Sequence, residues 1–66
     1  MTFSEKVMEA RGQLRLTQKQ FAELLGVSYT TINRWEKGHN EPQFLERRNF
    51  DDLCKKHGIT FDSEQN

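Results

Sequence analysis

The sequence has few of the residues that stabilise a small domain by means other than a hydrophobic core. Its 66 residues include one cysteine, Cys54, and one proline, Pro42. A single cysteine excludes an intramolecular disulfide, and with it the disulfide-rich scaffolds of secreted mini-proteins. No apolar run approaches the about 20 residues that a membrane-spanning helix needs, and no signal peptide is visible. We therefore expect a cytoplasmic protein without a membrane partner.

An excess of charge of one sign is also lacking. The net formal charge is zero at pH 7, so the total alone does not indicate a nucleic-acid partner. Residues 1–40 carry six basic and four acidic side chains, and residues 41–66 carry four basic and six acidic ones. A weakly basic front half suits a phosphate-rich partner, but chance explains so small a difference equally well.

What the chain does contain is enough for one folded domain. At about 100–200 residues per domain, 66 residues make one, and seven aromatic side chains argue against disorder. Strand signals are poor, and helix starts and stops punctuate the sequence instead. We expect a domain over residues 1–58 and a polar C-terminal tail over 59–66, in which Ile59 and Phe61 are the apolar exceptions.

Four helices are predicted from capping signals. Thr2 with Glu5, and Thr17 with Gln20, fit the capping-box pattern, which predicts helices over 3–14 and 18–25, the second ending before Gly26. Ser28 as N-cap and a stop at Gly38 predict a third helix over 29–37. Pro42 suits the first turn of a fourth helix that ends at Gly58, and four of its residues share one face: Phe50, Leu53, Cys54 and His57.

Phe44 and Leu45 do not lie on that face of the fourth helix. They predict one of two arrangements. Either the helix kinks around residues 47–49, or the two side chains pack back on the preceding loop.

Residues 18–37 form one recognisable unit. A short helix carries the small Ala22 where a second helix crosses closely, and Gly26 supplies a sharp turn that needs positive φ. Ile32 and Trp35 then fill the wedge between the helices. This arrangement predicts a helix-turn-helix whose second helix is shaped to enter the major groove of DNA.

The segments LTQKQFAELLGVS (16–28) and TINRWEKG (31–38) resemble the Cro/phage-repressor (Xre-type) helix-turn-helix family, and Arg11, Pro42 and Leu45 fit its flanking features. The resemblance covers residues 3–45. It implies an all-α, compact lambda-repressor-like domain of four, or four to five, helices. It also implies a sequence-specific double-stranded DNA-binding protein, a bacterial or phage transcriptional regulator.

The resemblance further implies roles for single residues. Four on the exposed face of the third helix match positions that reach base edges: Tyr29, Thr30, Asn33 and Arg34. Six at the start of the second helix and after the third match positions along the DNA backbone: Thr17, Gln18, Lys19, Lys37, His39 and Asn40. Six residues are expected to be structural: Arg11, Ala22, Gly26, Ile32, Trp35 and Glu36. Among these, Arg11 and Glu36 are expected to form an ion pair.

Less specific interpretations stand beside these. A polar helix face is often merely solvated. Trp35 could stack on a DNA base, but its spacing from Ile32 favours a place in the core. Cys54 and His57 have the spacing of half a zinc site, but no second pair accompanies them. We therefore expect no metal, no cofactor, no small-molecule ligand and no enzymatic activity.

Other functions also remain open. The scaffold can serve as a protein-interaction or antitoxin-like module, or as the N-terminal DNA-targeting module of a larger DNA-acting protein. Relatives usually build a dimer with a fifth helix, for which little sequence follows Gly58. A homodimer is therefore an open possibility, with Ile59 and Phe61 as its hypothetical contacts.

Overall fold

Four α-helices follow one another along the chain in the computed structural model, which describes residues 1–61. They are α1 (Phe3–Leu14), α2 (Gln18–Leu25), α3 (Tyr29–Glu36) and α4 (Phe44–Lys56), and those residues include no strand. None of these helices is long and apolar enough to span a bilayer. The all-α prediction is confirmed.

The helix starts lie where the capping signals placed them. The Thr2 hydroxyl accepts from the Glu5 N–H at 3.2 Å, and the Glu5 carboxylate accepts from the Thr2 N–H at 2.8 Å. Thr17 and Gln20 repeat this reciprocal arrangement at 3.1 and 2.9 Å. Because each pair satisfies backbone groups that a helix terminus leaves unpaired, local sequence fixes where α1 and α2 begin.

Two left-handed residues end the first two helices. Gly26 has φ of 76°, as predicted for the turn between α2 and α3. Arg15, which ends α1, has φ of 57° and is the one non-glycine residue with positive φ in residues 1–61. The Arg15 and Leu16 N–H groups donate to the carbonyls of Gly12 and Arg11, both at 3.1 Å. These bonds close the helix end as a glycine terminator would.

The core lies between all four helices. Phe3 packs edge-on against Trp35 and against Phe50, each with ring centroids 5.2 Å apart. Edge-to-face pairs of this kind add to the stabilisation from burial alone. Ala22 and Ile32 are buried where α2 meets α3, as predicted. The buried core comprises Phe3, Val7, Ala10, Phe21, Ala22, Ile32, Trp35, Phe50, Leu53, Cys54 and Ile59.

Several predictions about α3 and α4 differ from the structure. α3 ends at Glu36, and Lys37 is its cap rather than its last residue. Pro42 precedes the N-cap of α4 and is not in its first turn. His57 is exposed at the end of α4, so it does not share the buried face.

Both predicted arrangements of Phe44 and Leu45 are wrong. α4 runs uninterrupted from Phe44 to Lys56. Phe44 is 78% exposed and Leu45 67%, so neither side chain packs back on the loop. The helix needs no kink, because its start extends beyond the core and leaves these two residues in solvent.

The predicted boundary at residue 58 also differs from the packing. Ile59 is 8% exposed and belongs to the core, and Phe61 packs against that core. The Thr60 carbonyl accepts from Gln13 at 2.9 Å, and the Lys6 ammonium lies 5.7 Å from the centre of the Phe61 ring. Residues 59–61 are therefore part of the domain. Ile59 is not free for a dimer contact, and the rest of the expected tail, 62–66, lies outside the described residues.

Candidate nucleic-acid interface

α3 presents two chemically different faces. Ile32 is fully buried and Trp35 is 2% exposed, so the inward face is fixed to the core. On the outward face Tyr29 is 53% exposed, Thr30 and Arg34 are exposed, and Asn33 is half-buried. Thr30, Asn33 and Arg34 follow Tyr29 by one, four and five residues, which places all four on one side of a helix. The structure thus brings the four predicted base-contacting residues together on one surface.

The start of α2 offers backbone N–H groups. Those of Gln18 and Lys19 lie in the first turn, where the helix provides no carbonyl partner, and the positive end of the helix dipole favours an anion there. The Thr17 hydroxyl is engaged in the cap with the Gln20 N–H. Lys19 is exposed.

A single carboxylate ties the first three helices together. Glu36 accepts two hydrogen bonds from the Arg11 guanidinium, at 2.7 Å from Nε and 3.1 Å from Nη2. It also accepts one from the Gln18 amide at 2.9 Å. The Glu36 side chain is 7% exposed and the Arg11 side chain 27%. Hydrogen bonding to Glu36 raises the pKa of Arg11 above its ordinary value. We call these three residues the Glu36 network.

Sequence reasoning found the Arg11–Glu36 pair but not the third member of the network. Gln18 was predicted as a backbone contact, and one amide N–H is instead used by Glu36. An amide nitrogen has two N–H donors, so the predicted contact is not excluded. Helix spacing carries no signal for a bond between the first residue of α2 and the last residue of α3.

The segment after α3 carries the remaining predicted backbone contacts. Lys37, His39 and Asn40 are all exposed. Gly38 has φ of 75°, and the His39 N–H donates to the Arg34 carbonyl at 3.0 Å. The positive φ of Gly38 ends the helical path, and the His39 hydrogen bond keeps the loop close to the C-terminal end of α3.

A small cavity of about 170 Å³ lies between α3 and the start of α4. Arg34 lines it together with two carboxylates, Glu41 and Glu46. The Glu46 carboxylate accepts from the Gln43 N–H at 2.9 Å. Sequence reasoning did not place acidic groups beside Arg34, because the loop that brings them there has no periodicity to read.

Cys54 lies away from this surface, within the core at 6% exposure. Burial raises the pKa of its thiol from 9.0 to about 11, and the nearby Asp51 carboxylate adds to the shift. Metal binding and nucleophilic attack both require the thiolate. Within residues 1–61, no three His, Cys, Asp or Glu side chains come together in a group that could hold a metal ion.

The family model for helix-turn-helix proteins matches residues 7–46, from the middle of α1 to the first turn of α4. The chain belongs to the helix-turn-helix family. The matched residues include the whole outward face of α3 and every member of the Glu36 network. No solved structure gives a significant match to the chain.

Three known proteins are similar to this chain over 42 or 43 residues. The chain is 48% identical to the HTH-type transcriptional activator BcrR of Enterococcus faecalis, over 64% of this chain and 21% of that protein. It is 46% identical to the type II methyltransferase M.SsoII of Shigella sonnei, over 61% of this chain and 11% of that protein. It is 33% identical to the HTH-type transcriptional regulator DicA of Escherichia coli K12, over 64% of this chain and 31% of that protein. The match therefore spans about a third or less of each relative.

Proposed function

We propose that the protein is a sequence-specific double-stranded DNA-binding transcriptional regulator that places α3 in the major groove. The observation that carries this proposal is the two-faced α3. Ile32 and Trp35 anchor one side in the core, while Tyr29, Thr30 and Arg34 stand exposed on the other. A rigid helix with exposed donors and acceptors is what reading of base edges requires.

The exposed face carries side chains suited to distinct bases. The Arg34 guanidinium can donate two parallel hydrogen bonds to O6 and N7 of guanine. The Asn33 amide has the donor and acceptor that pair with adenine, and the Thr30 methyl suits contact with thymine. We assign Tyr29, in the first turn of α3, a contact with a base or with the groove wall. We propose these four residues as the base-reading set.

Positioning on the duplex falls to groups that contact phosphates without reading sequence. We assign this role to the N-terminus of α2, through Thr17, Gln18 and Lys19, and to the loop after α3. There Lys37, His39 and Asn40 are exposed around the end of the reading helix. In this proposal residues 1–61 bind DNA and carry out no catalysis, and the protein acts in the cytoplasm.

A second candidate function follows from the lengths of the relatives. One relative is a methyltransferase, and the match spans 11% of it. The same fold can therefore direct a larger DNA-acting protein to its site. In that case the binding surface is unchanged, and only what is attached to it differs.

A homodimer is a further part of the proposal for the regulator, because one module of this size buries only about 600–1,000 Å² on DNA.

The test is a binding selection from a random double-stranded DNA library at low salt. An enriched two-fold motif supports a dimeric regulator, and a short unpaired motif supports a targeting module. No enrichment, together with no retention of bulk duplex, contradicts the proposal and favours a protein-interaction or antitoxin-like role.

Two variants then separate reading from positioning on the selected site. Arg34→Ala removes a bidentate base contact, so it relaxes specificity at one position and weakens binding by about 1–3 kcal/mol. Lys19→Ala, the matched control, removes a phosphate contact and weakens binding to all sequences alike. Equal discrimination by wild type and Arg34→Ala would contradict the assignment of Arg34.

A further inference from the structure

Arg34 is the cation of the proposed base-reading set, and its surroundings carry more negative charge than positive. The cavity of about 170 Å³ between α3 and the start of α4 is lined by Arg34, Glu41 and Glu46, and its other lining residues are neutral. One guanidinium (+1) and two carboxylates (−2) give the lining a net charge of −1. We propose that Glu41 and Glu46 are positioning residues that keep Arg34 off DNA phosphates and thereby confine it to base edges.

The two carboxylates are held differently, and both have acceptor capacity to spare. The Glu46 side chain is half-buried, and one of its oxygens accepts from the Gln43 N–H at 2.9 Å, which fixes it beside the cavity. The Glu41 side chain is exposed and, in residues 1–61, its carboxylate has no hydrogen bond or ion pair. Since a carboxylate has about four lone-pair sites, either one can accept from a guanidinium.

The Arg34 side chain is free to use this capacity. It is exposed and makes no hydrogen bond or ion pair within the part of the chain that the structure describes. The cavity leaves it room to turn toward either carboxylate. A guanidinium has five N–H donors, and a guanine base uses two of them. Arg34 can therefore bond to guanine and to a carboxylate at the same time.

The carboxylates distinguish between the two kinds of acceptor that DNA offers to Arg34. Guanine O6 and N7 are neutral, whereas a phosphate that binds Arg34 brings a full negative charge beside Glu41 and Glu46. Charges this close are poorly screened, because the Debye length is about 8–10 Å near physiological salt. On a site without guanine, Arg34 therefore stays with a carboxylate and adds nothing to binding. A repulsive element of this kind raises specificity by penalising wrong sites.

The cations assigned to phosphates stand apart from this arrangement. Lys19 and Lys37 are exposed, and neither lines the cavity. The fold thus separates a cation that reads bases from cations that hold the backbone. The gain in specificity rests on the proposed function, whereas the restraint on Arg34 belongs to the free protein.

The first experiment compares two duplexes: the selected site, and the same site with the base pair whose preference Arg34→Ala relaxes replaced by another. Glu41→Gln should bind the replaced site about fivefold more tightly than wild type, the factor that corresponds to a good exposed ion pair. Its affinity for the selected site should match that of Glu23→Gln, a control that removes the same charge from an exposed position of α2. An equal gain on both duplexes would overturn the proposal.

Two further comparisons show whether the effect passes through Arg34. Glu46→Gln keeps the cap of α4, because glutamine serves equally in a capping box, and should weaken discrimination as Glu41→Gln does. Combined with Arg34→Ala, neither substitution should change binding beyond the effect of Glu23→Gln. The same gain with and without the guanidinium would overturn the proposal. A new base preference in Glu41→Gln would also overturn it, by making Glu41 a direct reader.

Binding to heparin, a sulfated polyanion without base edges, distinguishes failure of this proposal from failure of the proposed function. Glu41→Gln should elute from heparin at a higher salt concentration than Glu23→Gln, and adding Arg34→Ala should abolish the difference. That result in a protein that selects no DNA sequence would sustain the restraint on Arg34 and reject the regulator. Equal elution of the two variants, with equal discrimination on selected DNA, would overturn the restraint and leave the regulator standing.

Discussion

Arg15 and Gly26 end consecutive helices in the same left-handed conformation, with φ of 57° and 76°. Glycine adopts this conformation freely, whereas other residues carry a cost of about 1–2 kcal/mol. A Cβ atom added to Gly26 would meet no heavy atom within 4 Å. The two positions therefore differ in backbone strain and not in crowding.

Exchanging the residue types should have opposite effects on the free energy of unfolding. Gly26→Ala should lower it by about 1 kcal/mol through strain alone. Arg15→Gly should raise it by about 0.5 kcal/mol, because relief of strain exceeds the added entropy of the unfolded chain. Urea denaturation measures both, with Arg15→Ala as the control that removes the charge and keeps the strain. If Arg15→Gly is no more stable than Arg15→Ala, the prediction is wrong.

The buried thiol of Cys54 should make stability depend on alkaline pH. Its pKa is about 11 in the folded protein, against 9.0 for an ordinary thiol. Above pH 9.0 the unfolded chain loses this proton and the folded chain keeps it. The free energy of unfolding should therefore fall as pH rises toward about 11, by at most about 1.4 kcal/mol per pH unit from this group.

Cys54→Ala provides the comparison, because it lacks the thiol and shares the other titrating groups. Its lower overall stability from the lost packing does not matter, since only the slope with pH is compared. Thermal unfolding of both proteins between pH 8 and pH 11 measures the difference. Parallel pH profiles would show that the folded environment does not hold the proton on Cys54.

At the scale of helices, the Glu36 network decides how α1, α2 and α3 are held together. The Arg11 pair is bidentate and its carboxylate is nearly buried. Glu36→Gln should lower the free energy of unfolding by about 1–3 kcal/mol, because a charge-assisted pair is lost and Arg11 keeps a poorer partner.

The exposed pair Arg47–Asp51 in α4 serves as the control for the Glu36 network. Its side chains are 40% and 57% exposed, so Asp51→Asn should change stability by less than about 0.5 kcal/mol. Chemical denaturation of both variants at low and high salt makes the comparison. Equal, small losses would show that the Glu36 network is no stronger than a surface ion pair.

The starts of α1, α2 and α3 and the end of α2 were predictable because their causes lie within a few residues. Thr2, Thr17, Ser28 and Gly26 act through bonds to chain neighbours or through their own φ. The inward residues of α3 followed from helical period in the same way. The third partner of Glu36, the burial of Ile59 and the exposure of Phe44 were not predictable. Each depends on where distant segments meet, and no local pattern records that.

At the scale of the whole molecule, the net charge is zero, so few cations are available for the proposed contacts with DNA phosphates. The cations on the proposed DNA-binding surface are few, namely Lys19, Arg34 and Lys37, and all three are exposed. Each cation that neutralises a phosphate releases counterions. A plot of the logarithm of the affinity against the logarithm of the salt concentration therefore has a slope of about −0.9 for each such contact. One copy should therefore show a slope of about −2 to −3.

Fluorescence anisotropy with a DNA duplex that carries one copy of the selected site, at several salt concentrations, measures this slope. Lys37→Ala should make it shallower by about 1 while leaving sequence preference intact. A single-site slope steeper than about −5 would mean that further cations reach the backbone. The DNA would then contact a larger surface than α3, the start of α2 and the loop at 37–40.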